Sequence, residues 1–205
     1  MGCLLLDFSV LMNWVFGIFG VGGTLFSLIT EWRRRKTERE NKSLSWEELM
    51  AGTTDLFKDI RSNFDPEVIL TPNLRGGIIA HLIIDQFDRH IPAFVGQIFW
   101  KKSGGEVKPI PSHFKIATGK WELFIPEAII EFKDSRLLIV DDFSMSGDTL
   151  ANVKDELILR GFNPELIKTA SLVTTKVAVD NNKSTDFRWR VNENNDFYFP
   201  WGKAK

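Results

Sequence analysis

Residues 137–150 read Leu-Leu-Ile-Val-Asp-Asp-Phe-Ser-Met-Ser-Gly-Asp-Thr-Leu. The unbroken apolar run Leu137 to Val140, entered from Arg136, is the pattern of a strand covered on both faces, as strands of a parallel sheet are. The strand ends on two adjacent carboxylates, Asp141 and Asp142. A loop of small hydroxyl residues and one glycine follows and opens into a helix expected to reach about Arg160. The turn Ser146-Gly147-Asp148-Thr149 offers backbone N–H groups, two hydroxyls and a helix N-terminus, a combination suited to a terminal phosphate. The paired acids just before it can accept hydrogen bonds from vicinal sugar hydroxyls. Together the two devices describe a pentose carrying a 5′-phosphate.

Working outward, Ser45 with Glu48 three residues on is a capping box that opens a helix to about Asn63. Val68-Ile69-Leu70 reads as a buried strand, Thr71 to Gly77 as a loop and Ile78 to Phe87 as a helix. Ala93 to Trp100 is expected to be one strand, Leu166 to Thr174 another, and Phe187 to Trp201 a terminal β segment. Between Lys101 and Pro126 the motif Ser103-Gly104-Gly105 and three prolines suggest a long functional loop. Strands alternating with helices imply an α/β fold with a central parallel sheet flanked by helices, and ligands at the carboxyl ends of its strands. His81, His90 and His113 have no ligand-like spacing, so no metal is assigned to them.

The 137–150 stretch resembles the phosphoribosyl-pyrophosphate (PRPP) motif of type I phosphoribosyltransferases: a hydrophobic strand, two acids, three variable residues, then Thr or Ser, Gly, any residue and Thr. Phe64 to Leu70 leading into Leu74-Arg75-Gly76-Gly77 is similar to the family's pyrophosphate loop, and Phe197-Tyr198-Phe199-Pro200-Trp201 to the ending of its hypoxanthine and xanthine-guanine members. The resemblance spans roughly Ser45 to Trp201. It implies that Asp141 and Asp142 hold the ribose hydroxyls, directly or through magnesium-bound water, as the catalytic acids, and that Ser144, Met145, Ser146, Gly147, Asp148 and Thr149 cradle the 5′-phosphate. Leu74, Arg75 and Gly76 would meet the pyrophosphate, with the strained cis form admitted at the Arg75–Gly76 bond. Lys101 and Lys102 would add pyrophosphate contacts, and Lys176, Phe197 and Trp201 would meet the base. The 101–126 segment corresponds to the family's flexible loop, which closes over the site and excludes water. Mg2+ would bridge ribose and pyrophosphate oxygens without an all-protein cage. One position departs from the 6-oxopurine members: Met145 stands where they place an aspartate, and a thioether does no general acid–base work.

At 205 residues the chain exceeds the roughly 150-residue single-domain prior, and the surplus lies at the amino end. Phe8 to Ile29 is uncharged over 22 residues. As a helix it would reach about 33 Å, enough to cross a hydrocarbon layer of about 30 Å. Arg33-Arg34-Arg35-Lys36 follows it, so the positive-inside rule places the short amino end outside and the remainder in the cytosol, as a single pass through the inner (plasma) membrane. A secretory signal peptide would need positive charge before the apolar run and a small-residue cleavage site, and the chain has neither. The expected organisation is an anchor with its basic flank at 1–36, a linker at 37–44 and a phosphoribosyltransferase-like domain at 45–205. Gly20 and Thr24, with Gly23 and Ser27, would let two such helices pair, which fits a homodimer.

Composition narrows the classes further. With 43% hydrophobic and 26% charged residues the chain is ordinary globular material, and one cysteine excludes a disulfide framework. Net charge is −1; through Lys42 there are 6 basic and 4 acidic residues, leaving 20 basic and 23 acidic, a balance against direct nucleic-acid binding. The resemblance implies a transferase that moves the 5-phosphoribosyl group of PRPP to a nucleobase and releases pyrophosphate, and the uncharged 8–29 run with its basic flank is expected to anchor it in a membrane, a departure from the soluble members of the family. The alternative is a catalytically altered PRPP- or nucleotide-binding sensor or effector of a bacterial antiphage defence system, for example a retron-associated one.

Overall fold

The computed structural model describes Thr30, residues 43–101 and residues 107–204. The expected span at 8–29 lies outside them, as does Lys102; among the described residues no helix is long and apolar enough to cross a membrane. Helix α1 (Trp46–Asn63) starts on the capping box: Ser45 Oγ accepts from the Glu48 amide at 3.1 Å, and Glu48 Oε2 accepts from the Ser45 amide at 2.9 Å. Its buried Leu49, Leu56 and Ile60 share one face, spaced by whole turns.

Five parallel strands form the main sheet: β1 (Val68–Thr71), β2 (Ala93–Val95), β6 (Leu137–Ser144), β7 (Ile167–Thr175) and β8 (Phe187–Asn192). Their spatial order is β2-β1-β6-β7-β8, with Val68 opposite Leu137 and Leu137 opposite Ile167. Crossovers are α2 (Leu74–Ile84), α3 (Asp148–Leu159) and the short α4 (Lys176–Asp180). Strand β6 is buried throughout, and its side chains alternate between two cores. Leu138 and Val140 join the core under α1 and α2, while Leu137 and Ile139 join the one under α3. Because the chain leaves β1 toward β2 on one side and β6 toward β7 on the other, the loops after β1 and β6 part and leave a crevice at the strands' carboxyl ends.

Three sequence expectations change. Ala93 to Trp100 is two strands in two sheets: the Gly96 amide makes the last rung with Thr71 O at 2.7 Å, and the chain then crosses into β3 (Gln97–Trp100). The 101–126 segment carries β4 (His113–Ala117) and β5 (Trp121–Pro126), which with β3 form an antiparallel sheet in the order β3-β5-β4. Its alternation, with Phe114 and Ile116 buried, is obscured in the sequence by the neighbouring glycines and prolines. Helix α2 begins at Leu74 rather than Ile78, because Asn73 caps it. At the carboxyl end the short hairpin β9 (Tyr198–Phe199) and β10 (Gly202–Lys203) follows β8; the Leu44 amide donates to Tyr198 O at 2.8 Å, and Trp46 meets Trp201 edge-on with centroids 6.0 Å apart.

Candidate active site

The crevice is a cleft of about 760 Å³. Residues 73–75 after β1 and 141–150 at the end of β6 form its floor, and residues 96–100 and 118–121 of the antiparallel sheet form its other wall.

Asp141 and Asp142 stand at the floor, 6% and 4% exposed. Asp141 Oδ1 accepts from Asn73 Nδ2 at 3.0 Å and from the Asp142 amide at 2.9 Å. Asn73 Oδ1 in turn accepts from the Arg75 and Gly76 amides at 2.8 and 3.0 Å, so one side chain caps α2 and ties it to the acid pair. Gly76 makes this approach possible: a Cβ there would lie 2.7 Å from Val140 O and 3.0 Å from Asp141 Cα. Asp142 Oδ2 accepts from Trp201 Nε1 at 3.2 Å. Burial raises the Asp141 carboxyl well above its ordinary range, and the charge of Asp142 adds to this. Asp142 is raised as well by burial, against the lowering effects of its hydrogen bonds to Asp141 and Trp201 and of the Arg75 charge.

Beyond the acids the chain turns at Gly147, which has φ 78° and opens α3 with no side-chain cap. Among the described residues the first-turn amides of α3 therefore lack a side-chain acceptor, and the fully buried Ser144 Oγ has no hydrogen-bond partner. Asp148 occupies the first turn; it accepts from Lys183 Nζ at 2.5 Å and Ser146 Oγ at 2.9 Å, and these bonds hold its carboxyl below the usual range. Thr175 Oγ1 donates to Met145 O, while the Met145 side chain is 42% exposed with its sulfur 3.6 Å from Asn195 Nδ2.

The structure thus brings together Leu74, Arg75, Asp141, Asp142 and all six residues from Ser144 to Thr149 around one cleft. Gly76 lies directly behind Asp141 in the first turn of α2, and the peptide bond between Arg75 and Gly76 is trans. The residues expected at a base lie elsewhere. Phe197 is 1% exposed, stacked on Phe143 and edge-on to Phe199, and offers no free face. Trp201 stacks on Phe199 at 5.0 Å and does not line the cleft. Lys176 is exposed and paired with Glu193 at 3.5 Å. Lys101 turns away too: its Nζ donates to Thr118 O at 2.7 Å and stands 3.7 Å from Glu122. Two further cleft residues, Asn73 and Lys120, carry no phosphate-binding signal in the sequence. An Asn before an apolar, glycine-containing helix is a recognisable cap. Lys120, which lines the cleft and acts electrostatically on Asp148, has no local signal. Among the described residues no three His, Cys, Asp or Glu side chains converge on a metal position.

Comparison with known proteins agrees with this geometry. No curated protein sequence matches the chain. Among solved structures, the purine phosphoribosyltransferase of Pyrococcus horikoshii is 26% identical with a TM-score of 0.53, over 80% of this chain and 95% of that one. The adenine phosphoribosyltransferase of Giardia lamblia, complexed with 9-deazaadenine, is 14% identical with a TM-score of 0.53, over 72% and 81%. The xanthine-guanine-hypoxanthine phosphoribosyltransferase of Helicobacter pylori is 17% identical with a TM-score of 0.51, over 78% and 90%. Residues 44–203 match the family described as "Phosphoribosyl transferase domain". With its acid pair, glycine turn and uncapped helix at the switch point of a five-stranded parallel sheet, the chain belongs to the phosphoribosyltransferase family, on the type I fold.

Proposed function

We propose that this protein transfers the 5-phosphoribosyl group of PRPP to a nucleobase and releases pyrophosphate. The observation that carries the proposal is the pairing, in one cleft, of the buried acids with an anion-ready turn: Ser144 Oγ without a partner and α3 without a side-chain cap. The amides and hydroxyls of residues 144–149 bind the 5′-phosphate. Asp141 and Asp142 accept from the ribose hydroxyls, and their carboxylate charge opposes the positive charge that grows on the ring as the C1′–O bond to pyrophosphate breaks. A base nitrogen then forms the bond to C1′. Met145 takes no proton, so the base arrives already deprotonated or loses its proton to water. Arg75 and Lys120, both lining the cleft, supply positive charge for the leaving pyrophosphate.

The donor set fits Mg2+, since two buried carboxylates are hard oxygen ligands for a cation that keeps its waters and is carried mainly by substrate phosphates. Bound there, Mg2+ would supply charge neutralisation for the pyrophosphate. The uncharged run at 8–29 and its basic flank support a reading in which the domain lies on the cytoplasmic face of a membrane, and the small-residue pairs support a homodimer. The full chain in detergent, incubated with PRPP, Mg2+ and a panel of bases, is expected to release pyrophosphate; no release with any base overturns the reading.

Met145 favours a second reading, in which the domain binds PRPP or a nucleotide without turnover as a membrane-tethered sensor or defence effector. Tight calorimetric binding of PRPP with no turnover would select it.

A further inference from the structure

We propose that Trp201 is a positioning residue that sets the acid pair from outside the cleft, through the β9–β10 hairpin. This rests on the PRPP reading above and assigns Trp201 a role other than base contact. The indole N–H donates to Asp142 Oδ2 at 3.2 Å, and that carboxylate is 4% exposed at the cleft floor. Two residues further along the hairpin, Lys203 O accepts from Arg75 Nη1 at 2.9 Å. The hairpin therefore grips both sides of the switch point: the end of β6 through Asp142 and the first turn of α2 through Arg75. Asn73 closes the ring by joining that same turn to Asp141.

Packing alone does not account for this arrangement. The Trp201 ring is held by parallel stacking on Phe199, with planes 3° apart, and by the edge contact with Trp46. A phenylalanine offers an aromatic ring to the same two neighbours but no donor. What only tryptophan adds is a donor aimed at a buried carboxylate, and a hydrogen bond to a charged, desolvated acceptor is of the stronger kind. Fixing one oxygen of Asp142 in this way sets its rotamer before substrate arrives, which is how an outer residue holds a contacting one in register.

The test compares Trp201→Phe with the wild-type full chain in detergent, by PRPP calorimetry in Mg2+ and by pyrophosphate release. Positioning predicts that PRPP affinity and kcat/KM for PRPP fall about ten-fold or more with KM for the base little changed, while the melting temperature falls because a buried carboxylate loses its donor. Unchanged PRPP parameters overturn the proposal, and a rise confined to the base KM returns Trp201 to base contact. The indole N–H resonance lost in Trp201→Phe is expected to shift in Asp142→Ala; if it stays, the bond is absent and the proposal falls. Wild-type binding without turnover would defeat the transferase reading alone, since the affinity change in Trp201→Phe still decides the positioning role. Wild-type chain that neither binds nor turns over PRPP removes both.

Discussion

Asp141 carries the clearest conflict between stability and function. Its carboxyl is raised by burial and by Asp142, so the folded state binds more protons than the unfolded one as pH rises past the ordinary carboxylate range. Stability then falls with rising pH until the folded-state value is passed, because ionising the buried acid is a cost only the folded chain bears. Asp141→Asn keeps an oxygen for Asn73 and the Asp142 amide while removing that charge. It is expected to raise stability at neutral pH by on the order of 1 kcal/mol, or roughly 2–4 °C in melting temperature, and to abolish pyrophosphate release. The gain should shrink as the pH of the melting experiment is lowered toward 4. Gly147 is constrained differently: its φ is 78°, and a Cβ would fall 2.1 Å from Lys183 O. Gly147→Ala is expected to cost about 2 kcal/mol or more, measured as a lower urea midpoint, and to weaken PRPP binding because the turn itself must move.

At the scale of the element, α2 is a helix whose start is also part of the site. Asn73→Ala removes the acceptor for two amides and the donor to Asp141 at once. A stability loss of about 1 kcal/mol is expected from the cap, with a rise in KM for PRPP as Asp141 loses its tether. Asn73→Asp would restore the cap but place a third carboxylate beside the pair. It should keep the two cap bonds yet recover neither PRPP affinity nor, at neutral pH, the full melting temperature, and its melting temperature should rise toward wild type as the pH is lowered and the crowded carboxylates are protonated. The β4–β5 hairpin contributes Lys120 from the opposite wall. This lysine is exposed, so its attraction is screened, and Lys120→Ala is expected to raise KM for PRPP several-fold at low salt and less at 0.5 M.

For the whole molecule, the described domain starts where Leu44 pairs with Tyr198 and Ser45 caps α1. A fragment beginning at Ser43 keeps both contacts and is expected to stay in the aqueous fraction with PRPP turnover intact, while the full chain sediments with membranes. Equal partitioning of the two would remove the anchor reading. A fragment beginning at Trp46 loses the Leu44 bond and the cap, and should melt lower. The near-neutral total charge also resolves into parts: basic residues concentrate after the 8–29 segment, while residues from 43 onward are slightly acidic. Anion binding in such a domain depends on amides and a few placed cations rather than on net charge.

What the sequence determined by itself was local: the buried run of β6, the acids at its end, the glycine turn into α3 and the capping box of α1. Each is written within a dozen residues, because backbone propensity and strand burial act over that range. What only the tertiary structure decided is which distant groups meet. Asn73 reaches Asp141 across 68 positions and Trp201 reaches Asp142 across 59. The split of residues 93–100 between two sheets likewise depends on Thr71 and Phe124 waiting on either side. Such partners are chosen by strand order and close packing, which no local pattern encodes. This is why the acid pair is legible in the chain while the side chains that hold it are not, and why the contact of the Trp201 indole with Asp142 has no signal in the sequence.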